Sequence, residues 1–273
     1  MKYYLFAKFL QHMSVDELME TCASLGINGP TALIREGYWT EPSDLSTLKP
    51  FVAKANSYGL SVKYADTPYS PDDAEIDRAF GILAENGIEL ARLAYVGKNA
   101  VKDPRDLCDK ASRFAASAAK LAEKHGIRAV IQCHGGAYPH NATAAWPIVR
   151  DLDPRYIGIK IDPGNNIQQE GYELFNYQIA LLREYIAAVG AKSGALYRDQ
   201  SSNDDSNGWK RINVPAQEGV ANYHLIYREL GKIRCDGPSI LMPFYHENEP
   251  DLLLEELRGE IAYLKKCADE AGV

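Results

Sequence analysis

The stretch Tyr156-Ile157-Gly158-Ile159-Lys160-Ile161-Asp162-Pro163-Gly164-Asn165-Asn166 decides how this chain is read. Three isoleucines alternate with Gly158, Lys160 and Asp162, and a Pro-Gly turn with two amides follows. Period two is the signature of a β-strand, whose successive side chains point to opposite faces. Both faces of a parallel strand are buried when helices cover the sheet. The isoleucine face suits a helix layer, so Lys160 and Asp162 point the other way. A buried ammonium needs a carboxylate or other acceptor nearby, so this strand promises more than packing.

Reading outward, seven further short apolar runs share its character: 3–9, 27–34, 60–66, 88–95, 127–134, 193–199 and 238–244. Helix-like segments separate them. Residues 14–26 carry a serine cap, an acidic first turn and a closing glycine, and 43–59, 70–87 and 103–126 repeat that scheme. Segment 141–152 is short or kinked at Pro147, and 170–190, 219–233 and 251–272 complete the set. Eight strand–helix units at a spacing of roughly 30 residues predict an α/β fold, a closed (β/α)8 barrel in one domain over 1–273. A doubly wound sheet is the alternative, but no junction carries G-x-G-x-x-G or a P-loop. The long connection 200–218 would lie at the C-terminal face, where barrel active sites are built.

Composition limits the functions. The chain has 273 residues, 46% of them hydrophobic, and a net charge of −7, which speaks against bulk attraction to nucleic acid or anionic membrane. Five scattered cysteines without C-x-x-C spacing read as reduced thiols. No apolar stretch reaches the length of a membrane span and no leader is evident, so a cytoplasmic location is expected.

Parity nominates further pocket residues. In 127–134 Gln132 and His134 share the lumenal face. Tyr64 and Asp66 share a parity, with the inward face undecided. Either Arg92 or Tyr95 points in by strict alternation. In the run 193–199 the inward pair is Leu196 and Arg198, or Tyr197 and Asp199. His246 and Glu247 follow the eighth run and line the mouth. Solvated rim is the plain alternative for Asp66 and Asp199. His12, His125, His140 and His224 fall in helical or loop contexts and carry no functional reading.

Four places carry a family likeness. Residues 129–136 (AVIQCHGG), 157–166 (IGIKIDPGNN), 194–200 (GALYRDQ) and 214–230 (VPAQEGVANYHLIYREL) resemble, in order, the fifth-strand E-x-H-x-G, sixth-strand D-x-G-[NH], seventh-strand H-x-K-D and following P-x-G-x-G segments of the xylose isomerase-like TIM barrels, the sugar phosphate isomerases and epimerases. The resemblance implies a divalent metal (Mn, Mg, Co or Zn) and proton abstraction beside a sugar carbonyl through an enediolate. It places the ligands at Gln132, Asp162, Leu196 and near Leu241 or Met242. Only Asp162 keeps the family's ligand type; Gln132 and His134 are weaker candidates. The usual metal site is therefore expected to be lost, with Lys160 and Arg198 supplying positive charge in its place. Asp162, Lys160, His134 and Arg198 are the expected catalytic groups. Gln132, Asn165, Asn166, Asp66, Tyr64, Arg92, Glu247 and His246 are the expected substrate contacts, and Tyr64, Tyr95 and Tyr197 could stack on a sugar. The expected activity is a sugar isomerase or epimerase acting on a small carbohydrate, with a homodimer common among relatives. A non-catalytic or altered-chemistry carbohydrate-binding barrel is the alternative, a lyase or dehydratase stays open, and an abasic-site endonuclease is disfavoured by scattered histidines and acidic charge.

Overall fold

The computed structural model describes residues 1–168, 172–199, 201 and 208–273. Its centre is a ring of parallel strands. In chain order these are β1 (Tyr3–Leu5), β2 (two pieces, Gly29–Pro30 and Ala32–Leu33), β3 (Tyr64–Asp66), β4 (Leu90–Arg92), β5 (Arg128–Gln132), β6 (Ile157–Ile161), β7 (Ile186–Ala191) and β8 (Ser239–Leu241). Each pairs with the next, and β8 pairs with β1. The ring closes at β2: its first piece pairs with β1 and its second with β3, so only Thr31 separates the two edges. This is the (β/α)8 barrel expected from the alternation of strand and helix.

The outer layer holds α1 (Val15–Ser24), α2 (Leu48–Ser57), α3 (Ile76–Glu85), α4 (Leu107–His125), α5 (Ala142–Val149), α6 (Phe175–Leu182), α7 (Tyr223–Lys232) and α8 (Pro250–Ala271). Their limits follow local chemistry. Ser14 caps α1 in a reciprocal box with Glu17: the serine oxygen accepts the Glu17 N–H, and the glutamate accepts the Ser14 N–H at 2.7 Å. Gly126, at φ +67°, ends the long α4 in a left-handed turn that other residues adopt at a cost. None of the described helices is long and apolar enough to cross a membrane.

Two apolar clusters divide the strands by face. Ile157, Ile159 and Ile161 belong to the large cluster between barrel and helices, with Phe80, Ile179 and Leu257. Each such side chain contributes about 1.5–3 kcal/mol by leaving water. The smaller cluster fills the lumen with Tyr4, Phe6, Leu33, Tyr64, Val130, Ile240 and Met242. Lys160 and Asp162 are likewise wholly buried on the second face of β6, as the alternation of the isoleucines requires.

The seventh strand corrects the sequence reading. Residues 193–199 were expected to be that strand, and 170–190 a helix. Instead the helix is Phe175–Leu182, and the barrel strand is Ile186–Ala191. Ser193–Arg198 is extended, but it pairs antiparallel with Trp209–Val214 as a hairpin outside the ring. Its outer half is exposed on both faces: Leu196, Tyr197, Trp209 and Ile212 are each about half open to solvent. Residues 200 and 202–207 of the long connection lie outside the described residues, as do 169–171.

Candidate active site

Asp162 follows directly on β6 and heads a short helix, Pro163–Gln168. Its carboxylate is the hub of a buried polar network. Oδ2 accepts the Gln132 side-chain N–H at 2.7 Å, and Oδ1 accepts the Asn165 backbone N–H at 2.9 Å. The Lys192 ammonium lies 3.6 Å from Oδ1 and also donates to the Asn165 side-chain oxygen. Asn165 in turn donates to the Cys133 carbonyl at 3.1 Å, tying the β6 turn to the end of β5. Gln132 is fixed from its other side, where its oxygen accepts the Tyr95 hydroxyl at 3.0 Å.

A second acid sits across the lumen. Asp66 ends β3 and is almost fully buried. It accepts the Thr31 hydroxyl at 3.0 Å and pairs with the Arg92 guanidinium at 3.2 Å. That guanidinium also lies 5.1 Å from the centre of the Tyr95 ring. His134, just past β5, stacks obliquely on the same ring at 4.8 Å. Its Nδ1 accepts the Gly136 N–H at 3.1 Å, so a neutral ring carries its proton on Nε2. Burial, with Lys192 and Arg92 adding to it, lowers the His134 pKa against the pull of Asp162 and favours that neutral form.

Beneath the acids lie Lys160 and Tyr64, each two residues before an aspartate on its strand. Burial pushes the Lys160 ammonium down to about 8, despite the attraction of Asp66 and Asp162. Its Nζ lies 5.4 Å from the Tyr64 ring centre and 6.0 Å from that of Phe6. Burial, reinforced by Asp66, holds the Tyr64 phenol well above its usual range, so it stays protonated.

The structure thus brings together Asp162, Lys160, His134, Gln132, Asn165, Asp66, Tyr64 and Arg92. Arg92 and Tyr95 both reach the site, although strict alternation allowed only one, because Tyr95 lies beyond the end of β4. Other candidates stand elsewhere. Asn166 spends both amide groups on the Glu173 backbone. Arg198 and Tyr197 are exposed on the hairpin. His246 and Glu247 border a cavity of about 530 Å³ between the hairpin base and the segment after β8, with Arg211 and Phe244. Lys192 was missed by the sequence reading. The signal was one lysine closing the apolar run IAAVGAK, hidden by placing the strand too late.

The residues at the expected metal position do not fit a divalent ion. Val189 pairs with Ile161, so the residue beside Asp162 on the true seventh strand is Gly190, not Leu196. A side chain there would be crowded: its Cβ would lie 3.2 Å from both the Asp162 carboxyl and the Met242 sulfur. The donors gathered around that point are one carboxylate, one amide already hydrogen-bonded at both ends and one thioether, a soft ligand unsuited to hard cations. The Lys192 ammonium opposes a second positive charge at the carboxylate. Among the described residues no three His, Cys, Asp or Glu side chains converge on one point.

A family model described as xylose isomerase-like TIM barrel matches residues 19–267. The chain belongs to the xylose isomerase-like TIM-barrel family. Solved structures agree on the fold. A xylose isomerase domain protein from Planctomyces limnophilus superposes with a TM-score of 0.71 at 14% identity, covering 99% of this chain and 97% of that one. A xylose isomerase-like TIM-barrel protein from Mycobacterium smegmatis, solved in complex with magnesium, gives 0.71 at 15% identity, covering 98% and 97%. The 3-keto-D-glucoside 4-epimerase of E. coli gives 0.67 at 16% identity, covering 98% and 100%. Identities this low carry the fold alone. No curated protein matches the chain in sequence.

Proposed function

We propose that this barrel is a sugar isomerase or epimerase that moves a proton at a carbon beside a carbonyl, with fixed side-chain cations where relatives use a divalent metal. The observation that carries the reading is the Asp162 carboxylate, buried at the C-terminal end of the barrel between Lys192, Gln132 and the Asn165 N–H. Each of its oxygens takes one short hydrogen bond, which leaves lone pairs for a proton. Asp162 is the base. The neutral His134 and the Tyr95 ring it stacks on form a wall of the site, and Arg92 and Asn165 fix the groups around it. Lys160 and Lys192 lower the energy of the negative charge that develops on the substrate. The epimerase among the structural neighbours makes this chemistry a natural use of the fold, and the ligand is a small carbohydrate.

The test follows exchange of carbon-bound protons in D2O by NMR, over a panel of aldoses and ketoses, after treatment with EDTA. Exchange that persists without metal and falls at least ~100-fold in Asp162→Asn supports the reading. Exchange that appears only on adding Mn²⁺ or Mg²⁺ refutes the metal-free part. Tight sugar binding with no exchange across the panel makes the chain a carbohydrate-binding barrel instead.

A further inference from the structure

Two donor groups in the lumen lack an acceptor. The Lys160 Nζ and the Tyr64 hydroxyl are both completely buried, and neither has a hydrogen-bond partner among the described residues. The two acids nearest them make their hydrogen bonds elsewhere: Asp66 to Thr31 and Arg92, Asp162 to Gln132 and the Asn165 N–H, with Lys192 beside it. Buried polar groups are nearly always paired, so two orphans side by side call for an explanation. Lysine has three N–H groups and no lone pair. Tyr64 keeps its proton. What is missing opposite them is therefore an acceptor, and next to an ammonium a negatively charged one is favoured.

The surroundings suit that role. Phe6, Leu33, Val130, Ile240 and Met242 line the lumen around the pair. A low-dielectric wall strengthens any hydrogen bond made there. Lys160 and Tyr64 come from β6 and β3, with the Lys160 Nζ 5.4 Å from the Tyr64 ring centre, each one layer below a strand-end aspartate.

We propose that Lys160 and Tyr64 form the oxyanion site of this barrel, binding the substrate's carbonyl oxygen and holding the charge it gains when the neighbouring carbon is deprotonated. This rests on the isomerase or epimerase reading and deepens it. In the step, the C–H electrons become the C=C bond of an enediolate, the carbonyl π pair moves onto oxygen, and the proton passes to Asp162. For isomerisation the proton returns to the former carbonyl carbon while the hydroxyl proton of the enediolate passes to the oxygen held by Lys160 and Tyr64, so the carbonyl re-forms on the neighbouring carbon. For epimerisation a proton returns to the same carbon on its opposite face and the carbonyl re-forms where it was. No oxidant or reductant enters.

The probe is glycolate, whose planar carboxylate beside a hydroxyl copies the enediolate. Its binding is measured by titration calorimetry at neutral pH with wild type, Tyr64→Phe and Lys160→Met. Wild type should bind. Tyr64→Phe, which removes one oxygen and keeps the ring, should bind about 10-fold more weakly, and Lys160→Met about 100-fold or more. Far-UV circular dichroism checks that both variants are folded. Equal affinity in all three proteins would mean the donors hold only buried water, and the proposal falls. It falls too if wild type ignores glycolate while still exchanging sugar protons. A further arm adds sodium borohydride with dihydroxyacetone: a reduced adduct mapped to Lys160 would make the amine a covalent nucleophile and overturn the assignment. Failure of the parent reading looks different: no sugar exchanges, yet glycolate binding still drops in the two variants.

Discussion

Glu260 should make the stability of this barrel fall as pH rises through the neutral range. It lies in the middle of α8, completely buried, and its carboxylate accepts the Ala216 N–H and the Tyr245 hydroxyl, each at 2.8 Å. Burial raises its pKa from 4.5 to about 7; those two hydrogen bonds resist the shift and Glu256, one turn earlier, adds to it. The folded chain therefore binds this proton more tightly than the unfolded chain. The stabilisation is full below about pH 4.5, declines as pH rises, and is gone above about pH 7. At 1.36 kcal/mol per unit the whole displacement is worth roughly 3 kcal/mol, of which about 2.5 kcal/mol falls between pH 5 and pH 8. Glu260→Gln keeps an oxygen for the Ala216 N–H but cannot titrate. Urea unfolding of both proteins at pH 5, 6, 7 and 8, followed by tryptophan fluorescence, isolates this one group. The difference in stability between wild type and variant should shift by about 2.5 kcal/mol in favour of the variant across that range. A difference that stays constant to within about 0.5 kcal/mol would refute the reasoning, because the burial of a charge at Glu260 would then be relieved some other way.

Further outcomes follow from single side chains. Lys160→Met removes a buried cation with no acceptor and fills similar volume, so it should raise the melting temperature, by roughly 2–4 °C for each kcal/mol gained, even as it abolishes function; a calorimetric scan checks this. Gly158→Ala puts a methyl 2.5 Å from the Ala187 Cβ and 2.7 Å from the Arg128 Nε, and should cost about 1–3 kcal/mol in urea. Ser14→Ala breaks the α1 capping box and should cost about 1 kcal/mol by the same measure.

The barrel was legible because strand and helix signals alternate eight times, and the β6 floor was legible because three isoleucines sort its faces without ambiguity. The seventh unit was not. Ile186–Ala191 is built mainly of small residues, buried on both faces, and it follows α6 after only Arg183–Tyr185, with no glycine or proline to mark the change. Ser193–Arg198 carries an equally good strand signal and does form a strand, but tertiary pairing sends it into the hairpin. That slip put Leu196 and Arg198 where Gly190 and Lys192 belong, and so concealed the cation that contacts Asp162. Asn166 illustrates a different limit: a turn amide looks the same in sequence whether it faces a ligand or, as here, ties the Glu173 backbone in place.

The junction between β7 and the hairpin has a consequence for how this protein can change over time. Gly190 lies against Asp162, Lys192 makes an ion pair with the same carboxylate, and the Ser193 hydroxyl oxygen accepts the Ala221 N–H while filling the space beside Gly219. Three residues within a run of four thus meet three separate demands whose spacing is set by the two-residue period of an extended chain. A single insertion or deletion between 190 and 193 would swing Lys192 to the helix side and unseat the hairpin together. Length variation should therefore be rejected at the root of the hairpin.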